Sequence, residues 1–243
     1  MSGSGGSDDQ LLGLFNGRAV TRTVPGTPIG SFYGYRVIGV FQDQADLNGY
    51  PHLSDTQIGD LKFEDFNSDG QLDSKDRTTL GSPIPKFLGG LGGTLAWRQF
   101  DLAVDLQGQA GNKIFNGKEI VRPDPYNFEA RYLKYWDGAG TSNSEPRPSN
   151  GGINYEPSSR FVYDGSFIRM RNLAIGYSIP KKITARTGLQ SARVFARVTN
   201  LFTLSKFTGY TPEIVSGNPV LNAIDFANYP VPRIFTVGIN LNL

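Results

Sequence analysis

The sequence predicts an all-β fold of antiparallel strands, and three observations carry that prediction. Segments with period-two alternation recur along the chain, the last of them running to the final residue. Glycine is abundant, 30 of 243 residues, and aromatics make up 12% while charged residues make up only 19%. The connections between the alternating segments are very unequal in length. Glycine, Phe and Tyr with few charges favour pleated strands over helices. No stretch longer than a turn or two shows helical periodicity with caps.

The final segment is the clearest. In Arg233–Leu243, Phe235, Val237, Ile239, Leu241 and Leu243 share one face, and Thr236, Gly238, Asn240 and Asn242 the other. Successive side chains of a strand point to opposite sides, so one side is apolar and the other small and polar. Phe87 to Trp97 repeats the pattern, with Phe87, Leu91, Leu95 and Trp97 together and glycines between. A turn at Arg98-Gln99 leads into Leu102, Val104 and Leu106, alternating with Asp101, Ala103, Asp105 and Gln107, which makes a hairpin. Around 193–199 the alternation is weaker. In Phe167 to Ile179 the apolar set changes parity, from Ile168 and Met170 to Leu173, Ile175 and Tyr177. One extra residue flips the face of a strand, so a bulge near Asn172 is expected.

One connection is two residues long. Those at about 111–160 and 205–230 are long, and rich in Pro, Asn, Gly and aromatic residues including Tyr132, Tyr135, Trp136 and Tyr155. Short turns at one end of a sheet and long loops at the other are the arrangement of an outer-membrane barrel. A soluble β-sandwich is the other all-β solution. Any one of these aromatics is read first as loop packing and second as a ligand contact. Glu129 to Trp136 is expected to make a turn or two of helix.

Composition excludes several functions. The formal net charge is +2, so there is no basic footprint for nucleic acid. With no cysteine and a single histidine, His52, disulfides, thiol chemistry and a histidine zinc cluster are ruled out. No window is apolar enough for a transmembrane helix, and mean hydropathy is −0.30. Gly89-Gly90-Leu91-Gly92-Gly93 lies within a strand pattern and is no dinucleotide loop. Asp101 and Asp105 share a strand face, which reads as a solvated surface before it reads as a catalytic pair. A non-enzymatic protein is expected.

One motif carries chemistry. Asp65-Phe66-Asn67-Ser68-Asp69-Gly70-Gln71-Leu72-Asp73-Ser74-Lys75-Asp76 fits a calcium loop of the EF-hand type over residues 65–76. Side-chain oxygens recur at Asp65, Asn67, Asp69, Asp73 and Asp76, Gln71 offers a backbone carbonyl, and Gly70 permits the sharp turn. Calcium needs six to eight hard oxygens, which alternate residues of a tight loop can converge to supply. The last position is Asp instead of a bidentate Glu, and the flanks read as strand or turn. A structural calcium ion (Ca2+) is expected, with an Asp/Asn turn held by side-chain-to-backbone bonds as the alternative.

Four stretches, in order, carry a family resemblance. They are Pro28-Ile29-Gly30-Ser31-Phe32-Tyr33-Gly34-Tyr35 with Gly39-Val40-Phe41-Gln42, then Gly59-Asp60-Leu61-Lys62-Phe63 with the acidic loop to Asp76-Arg77-Thr78. The third is Asp164-Gly165-Ser166-Phe167-Ile168-Arg169 through Gly176-Tyr177. The fourth is Asn200-Leu201-Phe202-Thr203 through Gly209-Tyr210-Thr211-Pro212-Glu213 to Tyr229-Pro230-Val231-Pro232-Arg233. Over nearly everything after about residue 20 the chain resembles the C-terminal part of SusC/RagA-type TonB-dependent outer-membrane transporters of Bacteroidetes. The resemblance implies a partial barrel from a receptor of roughly 22 antiparallel transmembrane strands, with long extracellular loops. It implies a SusD-like lipoprotein lid, energy from TonB, and import of glycans or peptides. Residues 1–10 read as a linker-like N-terminus and 11–243 as barrel, holding six to eight strands. A chain without plug or TonB box is expected not to transport by itself. A soluble, calcium-stabilised β-domain with a binding or structural role is the alternative.

Overall fold

The computed structural model describes residues 10–121, 130–186 and 188–243. The linker reading of the first residues therefore falls almost wholly outside it. In chain order the short strands β1 (Leu11–Phe15), β2 (Arg18–Thr23), β3 (Ser31–Gly34), β4 (Val37–Val40), β5 (Leu61–Phe63) and β6 (Thr78–Gly81) come first. The long strands β7 (Phe87–Trp97) and β8 (Phe100–Ala110) follow, then the short β9 (Lys113–Asn116) and β10 (Val162–Asp164). The long β11 (Phe167–Ser178) and β12 (Ser191–Ser205), the short β13 (Ile224–Asp225) and β14 (Ile234–Asn242) complete the set. Two compact units result. One comprises residues 1–84, 113–163 and 213–227, the other 85–112, 164–212 and 228–243.

The second unit is one antiparallel sheet in the order β14-β12-β11-β8-β7. Its strands run 9 to 15 residues. A tilted strand needs about 9–11 residues to cross a bilayer. Five strands of spanning length, against the six to eight expected, reflect how much of the remaining sequence makes strands of only two to six residues in the other unit.

Register puts most apolar residues of the five long strands on one side. Leu95 pairs with Leu102, Leu102 with Ile175, Ile175 with Ala196, and Ala196 with Val237. The bulge expected near Asn172 is present: pairing slips between Met170 and Asn172 on both flanks of β11, with Arg171 the extra residue against β8 and Asn200 and Leu201 of β12 opposite it on the other flank. That single residue restores the shared face. Phe87, Leu91, Leu95, Phe235 and Val237 on this face are each at least two-thirds exposed. Trp97, Phe100 and Tyr177 gather at its turn end, the last two with ring centroids 4.9 Å apart. The two-residue turn at Arg98-Gln99 and the 179–190 connection, with its short helix at Lys181–Thr184, join strands at that end. The long connections all leave from the opposite end, at Ala110, Phe167 and Ser205.

The first unit has a conventional core, because its long connections fold instead of trailing. The strand order is β1-β2-β3-β6, with β10-β9-β13 and β4-β5 as smaller sheets. Val20, Phe32, Ile114, Phe115 and Phe161 are fully buried, with Phe115 ringed by Phe32 at 5.7 Å and Phe161 at 6.0 Å. A second cluster joins Tyr35, Val40, Leu61 and Phe63, with Trp136 packed against it. The turn or two of helix expected over Glu129 to Trp136 is present as a 3-10 helix over Ala130–Lys134; Glu129 lies outside the described residues. Sequence periodicity missed the helix α1 (Gln44–Asn48), which Asp43 caps by accepting from the Asp46 backbone N–H. One turn is too short to show a period.

Candidate functional site

The polar face of the five-stranded sheet is ordered by two cross-strand rows. In the first, Arg193 of β12 reaches over β11 to Asp101 of β8, donating from Nε at 2.9 Å and from Nη2 at 2.5 Å. Gly176 is the β11 residue beneath, where a Cβ would come within 2.3 Å of the guanidinium. In the second row, Arg197 donates to the Asn172 carbonyl oxygen at 2.7 Å, and the Asn172 amide donates to Asp105 at 3.1 Å. The rows lie four residues apart on each strand, as two equal steps on one face of a pleat. Arg171 donates to Gln107, and Arg169 to Thr203, on the same side. Asp101 and Asp105 are therefore members of a hydrogen-bonded wall. Phe195, which weakened the alternation of β12, lies on this side with its ring over Gly238.

The acidic loop lies in the first unit, between β5 and β6. Its flanks are strand, as the sequence indicated. Asp76 is fully buried and closes the loop: Oδ1 accepts from the N–H groups of Phe66 and Asn67, and Oδ2 from that of Asp73. Asp73 caps the 3-10 turn Ser74–Asp76 by accepting from Lys75 N–H at 2.7 Å. Asp65 accepts from the N–H groups of Asp69 and Gly70, Asn67 Oδ1 from Asp69, and Asp69 from Gln71. Gly70, at φ +80°, makes the reversal. In this geometry the side-chain oxygens serve backbone donors. Among the described residues no three His, Cys, Asp or Glu side chains are placed to hold a metal ion. The donor set still suits a hard cation: five oxygen-bearing side chains within the one tight loop 65–76.

The aromatics of the 111–160 connection divide between packing and lining. Trp136 covers Gly59, and its indole N–H donates to Gln42 at 3.2 Å. Tyr155 is buried, while Tyr135 is partly exposed. Tyr132, Tyr135 and Tyr155 line a cavity of about 340 Å3, together with Leu133, Pro146 and Pro148. Buried charge pairs surround it. Asp60 accepts from Arg147 at 2.8 Å, from Asn154 at 2.9 Å and from the Gln57 N–H. Glu119 accepts from Asn116 and from the Tyr132 hydroxyl and pairs with Arg131, and Glu145 pairs with Arg160 at 2.9 Å. Burial pushes the Tyr132 phenol up from its ordinary value, against the opposing pull of Arg160 and Arg131. Sequence reading missed this network. The one signal available was Asp60 itself, a carboxylate set between Gly59 and an apolar strand.

Comparison with known proteins gives one consistent likeness. No family model matches the chain. TonB-dependent receptor P3 of Formosa agariphila is 32% identical over 241 residues, 96% of this chain and 24% of the receptor. TonB-dependent receptor SusC of Bacteroides thetaiotaomicron is 28% identical over 222 residues, 89% of this chain and 20% of SusC. Among solved structures, the RagAB peptide importer in its 'open-open' state superposes with a TM-score of 0.70 at 20% identity, over 96% of this chain and 24% of that one. A second RagAB peptide transporter structure gives 0.71 over the same shares. The chain spans about a quarter of the length of the curated relatives it matches.

Proposed function

We propose that the chain is a segment of the barrel of a TonB-dependent receptor of the SusC/RagA type, serving as wall and loops of an outer-membrane importer. The reading rests on one observation: a sheet of spanning-length strands with a continuous apolar face and a hydrogen-bonded polar face. Lipid would cover the first and the barrel lumen would wet the second. Trp97, Phe100 and Tyr177 would mark the membrane interface at the turn end, and the long connections would face outward. The full receptor would import glycan or peptide under a SusD-like lipoprotein lid, driven through TonB. A soluble domain would leave the whole apolar face of five strands in water, far beyond the few hundred Å2 a monomer tolerates.

Cysteine scanning of the full-length receptor tests the topology, since these 243 residues hold no cysteine. Single cysteines at Val237 and Ile239 should take a lipid-soluble maleimide, and those at Thr236 and Asn240 a water-soluble one. Uniform labelling by the aqueous reagent at all four would defeat the proposal.

The acidic loop is proposed to hold a structural calcium ion, with Asp65, Asn67, Asp69, Asp73 and Asp76 supplying side-chain oxygens and Gln71 its carbonyl. Support comes from the donor types and the tight reversal at Gly70. Calcium there would brace the turn between β5 and β6; nothing in its surroundings resembles a helix pair that opens.

A further inference from the structure

We infer that the turn end of the five-stranded sheet is a binding surface for anionic phospholipid, drawn from the membrane leaflet at that end. This rests on the wall reading above and names a partner for one rim of the wall. The apolar face runs out to this end through Trp97, Tyr177, Val194 and Leu241, each more than a third exposed. Two connections close the end, and they touch: the Ser178 N–H donates to the Gln99 carbonyl at 2.8 Å. Four cations stand on them, Arg98 in the hairpin turn and Lys181, Lys182 and Arg186 in the 179–190 connection. All four are exposed.

Charge and position decide the occupant. Residues 178–192 contain no Asp or Glu. The strand ends at this rim, 94–101 and 234–242, contribute one carboxylate, Asp101, and Arg193 holds it. Among the described residues no carboxylate pairs with Arg98, Lys181, Lys182 or Arg186. The Arg98 guanidinium sits 4.9 Å over the ring of Trp97, a residue of the apolar face, so this cation is held on the lipid side of the turn. Trp and Tyr mark headgroup depth in membrane proteins. In the helical turn Lys181–Thr184, Thr184 is buried, and Lys182 and Arg186, two residues to either side, come out opposite it. Ile183 is 57% exposed beside them. A soluble anion would leave Ile183 and Trp97 in water. A neutral headgroup would leave four positive charges without a partner. A lipid with a negative headgroup answers both, each basic residue near such a surface adding about fivefold to affinity.

The test uses the full-length receptor in phosphatidylcholine vesicles carrying a trace of spin-labelled phosphatidylglycerol or of spin-labelled phosphatidylcholine. Electron spin resonance reads the share of each label immobilised against protein. Phosphatidylglycerol should be preferred, and Arg98→Gln, Lys181→Gln, Lys182→Gln and Arg186→Gln together should cut the preference at least about twofold. Lys181→Arg with Lys182→Arg, which keeps the charge, should keep the preference. Lys206→Gln with Arg233→Gln, at exposed positions on the other end of the same strands, should leave it unchanged. A preference that survives the fourfold variant, or that the Lys206 and Arg233 pair removes equally, overturns the surface. Inorganic phosphate at matched ionic strength should not displace the lipid; displacement overturns the assignment to lipid. Unchanged lipid-soluble labelling of a cysteine at Val237 shows that the sheet of the fourfold variant is intact. The wall reading fails separately, by uniform aqueous labelling of the four single cysteines.

Discussion

Arg193 and Asp101 meet across an intervening strand, and the strand between them contributes only a hydrogen atom, that of Gly176, at the crossing. The pair is partly exposed, so solvent screening keeps its contribution to stability small. Gly176→Leu should lift the guanidinium off the carboxylate and cost as much as Asp101→Ala. Combining the two should add little beyond either alone. Urea midpoints of the refolded full-length receptor measure this, and a fully additive double variant would refute the coupling.

The two faces of β14 should respond oppositely to charge. Ile239→Arg places a guanidinium on the apolar side and is expected to destabilise by about 2–4 kcal/mol at mid-bilayer depth. Asn240→Arg, one residue on, should change stability by under about 1 kcal/mol. Reversible urea unfolding in lipid vesicles gives both values; equal costs would mean the faces are misassigned.

Removal of two loop carboxylates separates metal binding from turn formation. Asp65→Ala with Asp69→Ala is expected to abolish calcium binding in calorimetry. Unchanged affinity in the double variant would reject the loop as the site. The same double variant loses acceptors for the N–H groups of Asp69, Gly70 and Gln71, so protease nicking between residues 60 and 80 should rise even with chelator present.

Acid should loosen the α1 region through one carboxylate. Lys62 Nζ donates to Asp46 at 2.6 Å and holds that carboxyl below its ordinary value, with the Gln42 N–H assisting and burial opposing. A carboxylate with a depressed folded pKa stabilises above its unfolded value of 3.8 and loses that stabilisation as pH falls through the folded value. In a Trp97→Phe background, Trp136 fluorescence should report a melting difference between wild type and Asp46→Asn at pH 7 that disappears near pH 2. A difference that persists there would assign the effect to packing.

The long strands were legible because period two was written into Phe235–Leu241 and Leu102–Leu106, and even the parity change around Asn172 announced the Arg171 bulge. The short strands of the other unit were not. Their residues meet across long separations, 94 positions for Asn154 with Asp60 and 138 for Arg18 with Glu156, and no local pattern encodes such pairs. The loop 65–76 was legible as a turn from its Asp, Asn and Gly spacing. The cavity was not, because Tyr132, Tyr135 and Tyr155 look alike in sequence and differ only in what the fold sets beside them.

The two rows on the polar face carry a polarity of their own. The carboxylates Asp101 and Asp105 both belong to β8, while Arg169, Arg171, Arg193 and Arg197 belong to β11 and β12. Charge therefore varies along the hydrogen-bonding direction and hardly at all along the strands. The field at this wall points sideways. A zwitterion drifting past would be turned to lie crosswise, its cationic end toward β8, and would meet no electrostatic step along its direction of travel.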